Sequence, residues 1–166
     1  MIADSPTAYV ESLRYARSQT EGQWRSRAAD MTGPLSITFV ADAGPGSPLC
    51  GLMRVVVKEP QDTGRPAQAM LISVYVAPAH RGSGLADELL QHAVAAAHDE
   101  LGAGLLQLGV HEENARALAF YVRNGFRDTG GREVYRLDTS KAEILMEREL
   151  VPSRLPATPL EAGVAG

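Results

Sequence analysis

Val74-Tyr75-Val76-Ala77-Pro78-Ala79-His80-Arg81-Gly82-Ser83-Gly84-Leu85-Ala86 runs an apolar strand into a proline, through a basic, glycine-spaced turn, and on into a helix. A helix opening there leaves its first N–H groups without intrahelical acceptors, and such an end binds anions, phosphates above all. Gly82 and Gly84 let ligand oxygens approach the backbone with no Cβ in the way. A phosphate-bearing ligand is the first expectation. Two familiar phosphate loops are excluded by the residues themselves. Position 87 is Asp87, so the third glycine of a dinucleotide fingerprint is missing. No lysine followed by Ser or Thr closes the loop, so it is not a Walker A motif.

Upstream of this turn, 5–29 reads as helical, with Ser5 as cap and Pro6 at the first helical position. Glu21-Gly22-Gln23-Trp24 is expected to break it in two. Ile37 to Ala41 and Gly51 to Lys58 read as a hairpin around the turn-forming residues 42–48. After a polar loop over 59–66, Met70 to Val76 reads as a strand buried on both faces. Downstream, Leu85 to Leu101 is an amphipathic helix, with Leu85, Leu89, Ala93 and Ala97 on one face and Asp87, Glu88, Gln91, Asp99 and Glu100 on the other. Gly102 stops it. Leu105 to Val110 is then a strand reached through a helix, so it should lie parallel to Met70–Val76. A second helix spans 114–124 and is closed by Gly125. Residues 133–137 and 144–151 read as a final antiparallel pair. This order gives an α/β (α+β) fold with a mixed sheet, not a doubly wound one.

The bulk composition narrows the function. A chain of 166 residues, 45% hydrophobic and 22% charged, is most simply one domain over 1–151, with a disordered tail over 152–166. A net charge of −4 argues against a general nucleic-acid binder. The lone Cys50 allows no internal disulfide and reads as a small apolar strand residue. No apolar run approaches the ~20 residues of a membrane helix, and no signal sequence opens the chain. The expectation is a cytoplasmic protein without membrane or nucleic-acid partners. His92 and His98 sit six apart on one helix and imply no metal.

A second constellation follows the parallel strand: Asn114-Ala115-Arg116-Ala117-Leu118-Ala119-Phe120-Tyr121-Val122-Arg123-Asn124-Gly125-Phe126. Asn114 and Tyr121 are two helical turns apart and share a face. Together the two stretches resemble the GNAT superfamily of N-acetyltransferases. Arg81-Gly82-Ser83-Gly84-Leu85-Ala86 fits its R/Q-x-x-G-x-G/A motif, and 114–126 is similar to its N-x-x-A-x-x-x-Y segment followed by GF. Ile144 to Leu150 resembles its last strand. Residues 3–9 and 21–24 are similar to the acceptor-side helices of a bacterial branch. In that family a first β-strand precedes the segment matching Ala3. The resemblance therefore implies either a start codon assigned too late or a member without that strand, leaving Ile37 to Ala41 as a sheet edge.

The resemblance implies a mostly antiparallel sheet with a splayed parallel pair, and acetyl-CoA as acetyl donor. In it, Val74 and Val76 would pair with the pantetheine arm. Arg81, Gly82, Ser83, Gly84, Leu85 and Ala86 would hold the pyrophosphate. Asn114 would hydrogen-bond the arm, and Tyr121 would act as general acid to the departing thiolate. The Val76 amide would donate to the thioester oxygen, and a bulge at Tyr75 to Ala77 would open the strands. The acceptor is an amine, small-molecule or peptide, and must become neutral to attack. For an amine of pKa ~10.4 that costs about 4–5 kcal/mol at neutral pH. Glu59, His111, Glu112 and Glu113 are candidate bases, with His111 favoured because it sits just past the strand. His80 reads as a loop residue near phosphate, and Trp24 as packing beside the acceptor. A homodimer is expected by analogy. The alternative is a catalytically silent CoA-binding sensor or assembly protein of the same fold.

Overall fold

The computed structural model describes residues 12–57 and 67–151. The expected cap at Ser5 with Pro6, the segment 3–9, the loop 59–66 with Glu59, and the tail over 152–166 lie outside them. Two short helices come first, α1 (Leu13–Ser18) and α2 (Glu21–Ala29). The break falls at Gln19 and Thr20, just before the run expected to make it. Thr20 sets it: its hydroxyl accepts from the Gln23 N–H, while its own N–H donates to the Gln23 side chain at 2.7 Å. That capping box starts a new helix, so Glu21 to Trp24 is its first turn.

Six strands follow: β1 (Ser36–Asp42), β2 (Leu49–Val57), β3 (Ala67–Val76), β4 (Ala103–His111), β5 (Arg127–Val134) and β6 (Ala142–Glu149). They form one sheet in the order β1-β2-β3-β4-β6-β5, with β1 at one edge. Every neighbouring pair is antiparallel except β3–β4. Helix α3 (Leu85–Asp99) connects β3 to β4, and α4 (Ala115–Arg123) leads from β4 to β5. This is the mixed, mostly antiparallel sheet expected from the sequence.

The core lies on one face of the sheet. Met53, Val55, Leu71, Leu106, Leu108 and Met146 pack there against Leu89, Leu90 and Ala93 of α3 and Tyr121 of α4. Because both helices cover the same face, β3 is not buried on both sides as its sequence implied. Ala69 and Leu71 are fully enclosed, whereas Ile72, pointing the other way, is 36% exposed. The other face of the sheet is called the open face below.

Two irregularities position the site. Strands β3 and β4 pair only from Ala67↔Ala103 to Met70↔Gln107, although both run on, to Val76 and His111. Against β2, the register passes from Leu52↔Tyr75 to Arg54↔Ile72, so β3 carries one extra residue there. Ser73 lies within it at φ +54°, a left-handed conformation rare outside glycine. A bulge bends its strand, and here it separates β3 from β4. It lies a few residues earlier than the 75–77 position expected. Strand β5 begins before the 133–137 segment read from sequence, because Asp128-Thr129-Gly130-Gly131 looks like a turn. In the fold, 129–131 bulge out between Asp128↔Met146 and Arg132↔Ile144, tied down by Thr129 Oγ1 donating to the Leu145 carbonyl at 3.0 Å.

Candidate active site

Where β3 and β4 part, they leave a cleft of about 420 Å³, closed on its other sides by the start of α3 and by α4. Of the residues singled out in the sequence, Val74, Val76, Arg81, Gly82, Gly84, Ala86, Asn114 and Tyr121 line it together. Ser83 and Leu85 do not. The Ser83 hydroxyl donates to the His80 carbonyl at 2.8 Å and accepts from the Leu85 N–H at 3.4 Å, bracing the turn from within. Leu85 packs against the core.

The turn is built for a close approach. Gly82 and Gly84 sit at φ +82° and +91°, and a Cβ on either would meet no protein atom within 4 Å. Glycine is needed there for the backbone angle, and the space in front stays open. Gly84 is the N-cap of α3 and has no side chain to cap it; the Leu85 N–H reaches the Ser83 hydroxyl, and the N–H groups after it get no bond from the cap residue, at the end of the helix that borders the cleft. Arg81 is tied to the end of β3, its Nε donating to the Val76 carbonyl at 3.0 Å.

Ladder alternation fixes the Val76 amide. Ala77 N–H donates to the Cys50 carbonyl at 2.8 Å, so the adjacent Gly51↔Val76 pair is the non-hydrogen-bonded one. The N–H of Val76 therefore points away from β2, toward the gap beside β4. Opposite it stands α4. Asn114 is that helix's N-cap, its Oδ1 accepting from the Ala117 N–H at 3.1 Å. Its oxygen is thus engaged, and its NH₂ is the group it can offer a ligand.

Tyr121 is 6% exposed and held by the end of α4. Phe126 N–H donates to the Tyr121 carbonyl and Gly125 N–H to the Val122 carbonyl, with Gly125 at φ +81°. This is a Schellman motif, and its apolar contact is the Phe126 ring lying edge-on to Tyr121 at 5.4 Å. The glycine-phenylalanine pair legible in the sequence is what locks the tyrosine.

Sequence reading missed the cationic side of the cleft. Arg116 and Arg123 also line it, seven residues apart like Asn114 and Tyr121, so the same periodicity could have found them. With Arg81 they set three guanidinium groups against one carboxylate, Asp87. Asp87 is itself held by Asn124 Nδ2 at 3.0 Å and Arg123 at 3.3 Å, which keep its carboxyl below its usual range. The balance suits an anion, despite the acidic chain.

The expected bases lie elsewhere. His111 is buried, with its ring edge-on to Tyr135 at 4.7 Å, and does not line the cleft. Its Nδ1 accepts from the Glu113 N–H at 3.2 Å, so the lone pair a base would use is occupied. Glu112 accepts from the Ala142 N–H, and Glu113 is paired with Lys141. Cys50 is buried in β2, its thiol toward the Pro48 carbonyl. Trp24 is 41% exposed, beneath the Arg27 guanidinium.

The family model for the acetyltransferase (GNAT) family matches residues 6–126. The chain belongs to that family. A Mycobacterium tuberculosis protein named as an uncharacterized N-acetyltransferase is 38% identical over 82 residues, 49% of this chain and 51% of the relative. The chain thus spans about half the length of the curated relatives it matches. Among solved structures, nourseothricin acetyltransferase is 30% identical, covering 71% of this chain and 67% of its own, with a TM-score of 0.60. An N-acetyltransferase from Kribbella flavida is 26% identical over 90% of this chain and 86% of its own, with a TM-score of 0.65. A spermidine N-acetyltransferase chimera from Vibrio cholerae and hSSAT, 22% identical at a TM-score of 0.63, shares the fold, covering 86% of this chain and 82% of its own.

Proposed function

We propose that this GNAT protein transfers an acetyl group from acetyl-CoA to a primary amine, directly, with both substrates bound at once. The observation that carries the reading is the parting of β3 from β4 beyond Met70, which opens a cleft onto the glycine turn and Tyr121. The residues present fit the donor. First-turn N–H groups of α3, an open approach over Gly82 and Gly84, and the arginines suit a diphosphate. The free edge of β3 offers Val74 and Val76 to an extended, amide-bearing arm. Acetyl-CoA supplies the electrophile, an acetyl thioester.

The chain's own groups then have separate tasks. The Val76 N–H donates to the carbonyl oxygen as it gains charge. The Asn114 NH₂ holds the arm. Tyr121, fixed by its Schellman motif, gives its hydroxyl proton to the departing sulfur. The absence of cysteine and serine from the cleft lining supports direct transfer over an acyl-enzyme route, among the described residues. Retention of a placed hydroxyl at Tyr121 favours an enzyme over a silent CoA-binding sensor.

Calorimetric titration with CoA tests the cleft. Wild-type protein binds, and Gly84→Val abolishes measurable binding, because a β-branched residue cannot hold φ +91° without strain and its branches enter the ligand's space. Normal affinity in a folded Gly84→Val protein would overturn the loop assignment. A thiol-release assay across amino acids, polyamines, aminoglycosides and peptide N-termini identifies the acceptor.

A further inference from the structure

No residue lining the cleft is an evident base for the amine: the described lining has no histidine, and its one carboxylate, Asp87, is engaged by Arg123 and Asn124. The open face of the sheet supplies a different candidate. Strand register places Gly109, His111, Glu143 and Leu145 on that face, opposite the face carrying Leu108, Val110 and Met146. Tyr75, one residue from both Val74 and Val76, points to the same open face at the rim of the gap. Gly109 belongs to the cleft lining, and Glu143 Oε2 lies 3.4 Å from where its Cβ would be. Glu143 is not itself part of that lining; with no side chain at 109, its carboxylate lies over β4 beside the gap, on the side opposite α3 and α4.

Glu143 is half-buried, and its carboxylate makes no hydrogen bond or ion pair with another described residue. It is surrounded by His111 from β4, Glu133 from β5, and Tyr135 and Arg136 from the turn that follows β5. Lys141, next along β6, is paired with Glu113. Burial, then Glu133, pushes the Glu143 carboxyl up, with His111 and Arg136 opposing. A carboxylate raised toward the working pH is a better proton acceptor than an ordinary one.

We infer that the acceptor ammonium enters from the open face, between Tyr75 and Glu143, and gives up a proton to the Glu143 carboxylate across Gly109. The inference rests on the acetyl-transfer reading of the cleft. In the step, one N–H proton passes to Glu143, and the freed nitrogen pair forms a bond to the thioester carbonyl carbon. The C–S bond breaks with its pair on sulfur, which takes the Tyr121 proton. The second excess proton on nitrogen restores Tyr121, and Glu143 returns its proton to water.

The test compares wild type with Glu143→Gln, using L-lysine, n-butylamine and spermidine as probes, plus any amine from the acceptor screen. The expected result is roughly a tenfold or greater fall in kcat/KM for the amine near pH 7, about 1.4 kcal/mol. The loss shrinks toward about pH 9.5, where more of the ammonium deprotonates unaided. CoA affinity stays unchanged. Independently of turnover, Glu143→Gln raises the thermal midpoint above the ordinary carboxyl range near 4.5 but not below it. Wild-type kcat/KM within twofold at neutral pH, a loss equal at both pH values, or a pH-independent midpoint difference would each overturn the inference. A wild-type protein that binds no CoA or acetylates no amine overturns the reading of the cleft instead.

Discussion

At the scale of single residues, the proposed mechanism gives Tyr121 and Asn114 a chemical role on side chains that also have a structural one. Asn114 caps α4 with its oxygen and keeps its NH₂ for the cleft. Tyr121 is packed by Phe120 and Phe126 at 5.1 and 5.4 Å, which orients its ring toward the cleft it lines. Removing only the hydroxyl therefore separates the two roles. Tyr121→Phe is expected to keep the fold and the CoA affinity while lowering turnover at least tenfold, about 1.4 kcal/mol. Steady-state kinetics beside calorimetry decides it, and unchanged turnover removes Tyr121 from its role as proton donor.

At the scale of elements, the bulge in β3 does most to create the site. One added residue ends the parallel pairing with β4 after Met70 and turns the Val76 N–H toward a gap instead of a neighbouring strand. Ser73 carries the left-handed angle that this requires. A β-branched residue tolerates that angle poorly, so Ser73→Val is expected to destabilise the protein by about 1–3 kcal/mol. It should also weaken CoA binding, whereas Ser73→Gly leaves binding intact. Denaturant unfolding and calorimetry on both variants check the pair of outcomes. A Ser73→Val protein with wild-type stability would show that the bulge stores no strain. Nothing in Met70-Leu71-Ile72-Ser73-Val74-Tyr75-Val76 announces the bulge, because a lone serine in an apolar strand also fits a regular ladder. The glycine turn was legible for the opposite reason: only glycine takes its backbone angles freely, so the requirement is written in the residue itself.

At the scale of the whole molecule, Asp87 joins the two helices that enclose the cleft. Its carboxylate, at the start of α3, accepts from Asn124 and Arg123 at the end of α4. Those bonds, the Asn124 one foremost, lower the Asp87 carboxyl from its ordinary 3.8. A depressed native pKa means stability is present above the ordinary value and lost as pH falls through the native one. Asp87→Asn is thus expected to be less stable than wild type at neutral pH, with the difference closing as pH drops below about 3.8. Thermal melts across that range test it; a constant difference would assign the effect to packing. Glu143 runs with the opposite sign: burial raises its carboxyl, which costs stability as pH rises.

The sequence by itself determined most of the strands and helices, β5 excepted, that β3 and β4 lie parallel, and that a glycine turn and a tyrosine-bearing helix follow them. Each of these is local: periodicity, a proline, and glycines at angles other residues avoid. Tertiary structure alone decided that both helices cover one face of the sheet, that the strands part beyond Met70, that Arg116 and Arg123 join the turn, and that the Glu143 carboxylate lies beside Gly109 on the other face. It also occupied the lone pair of His111, the base favoured from sequence position. Those facts depend on strand order and register, which bring together residues far apart in the chain, and no local pattern carries that information.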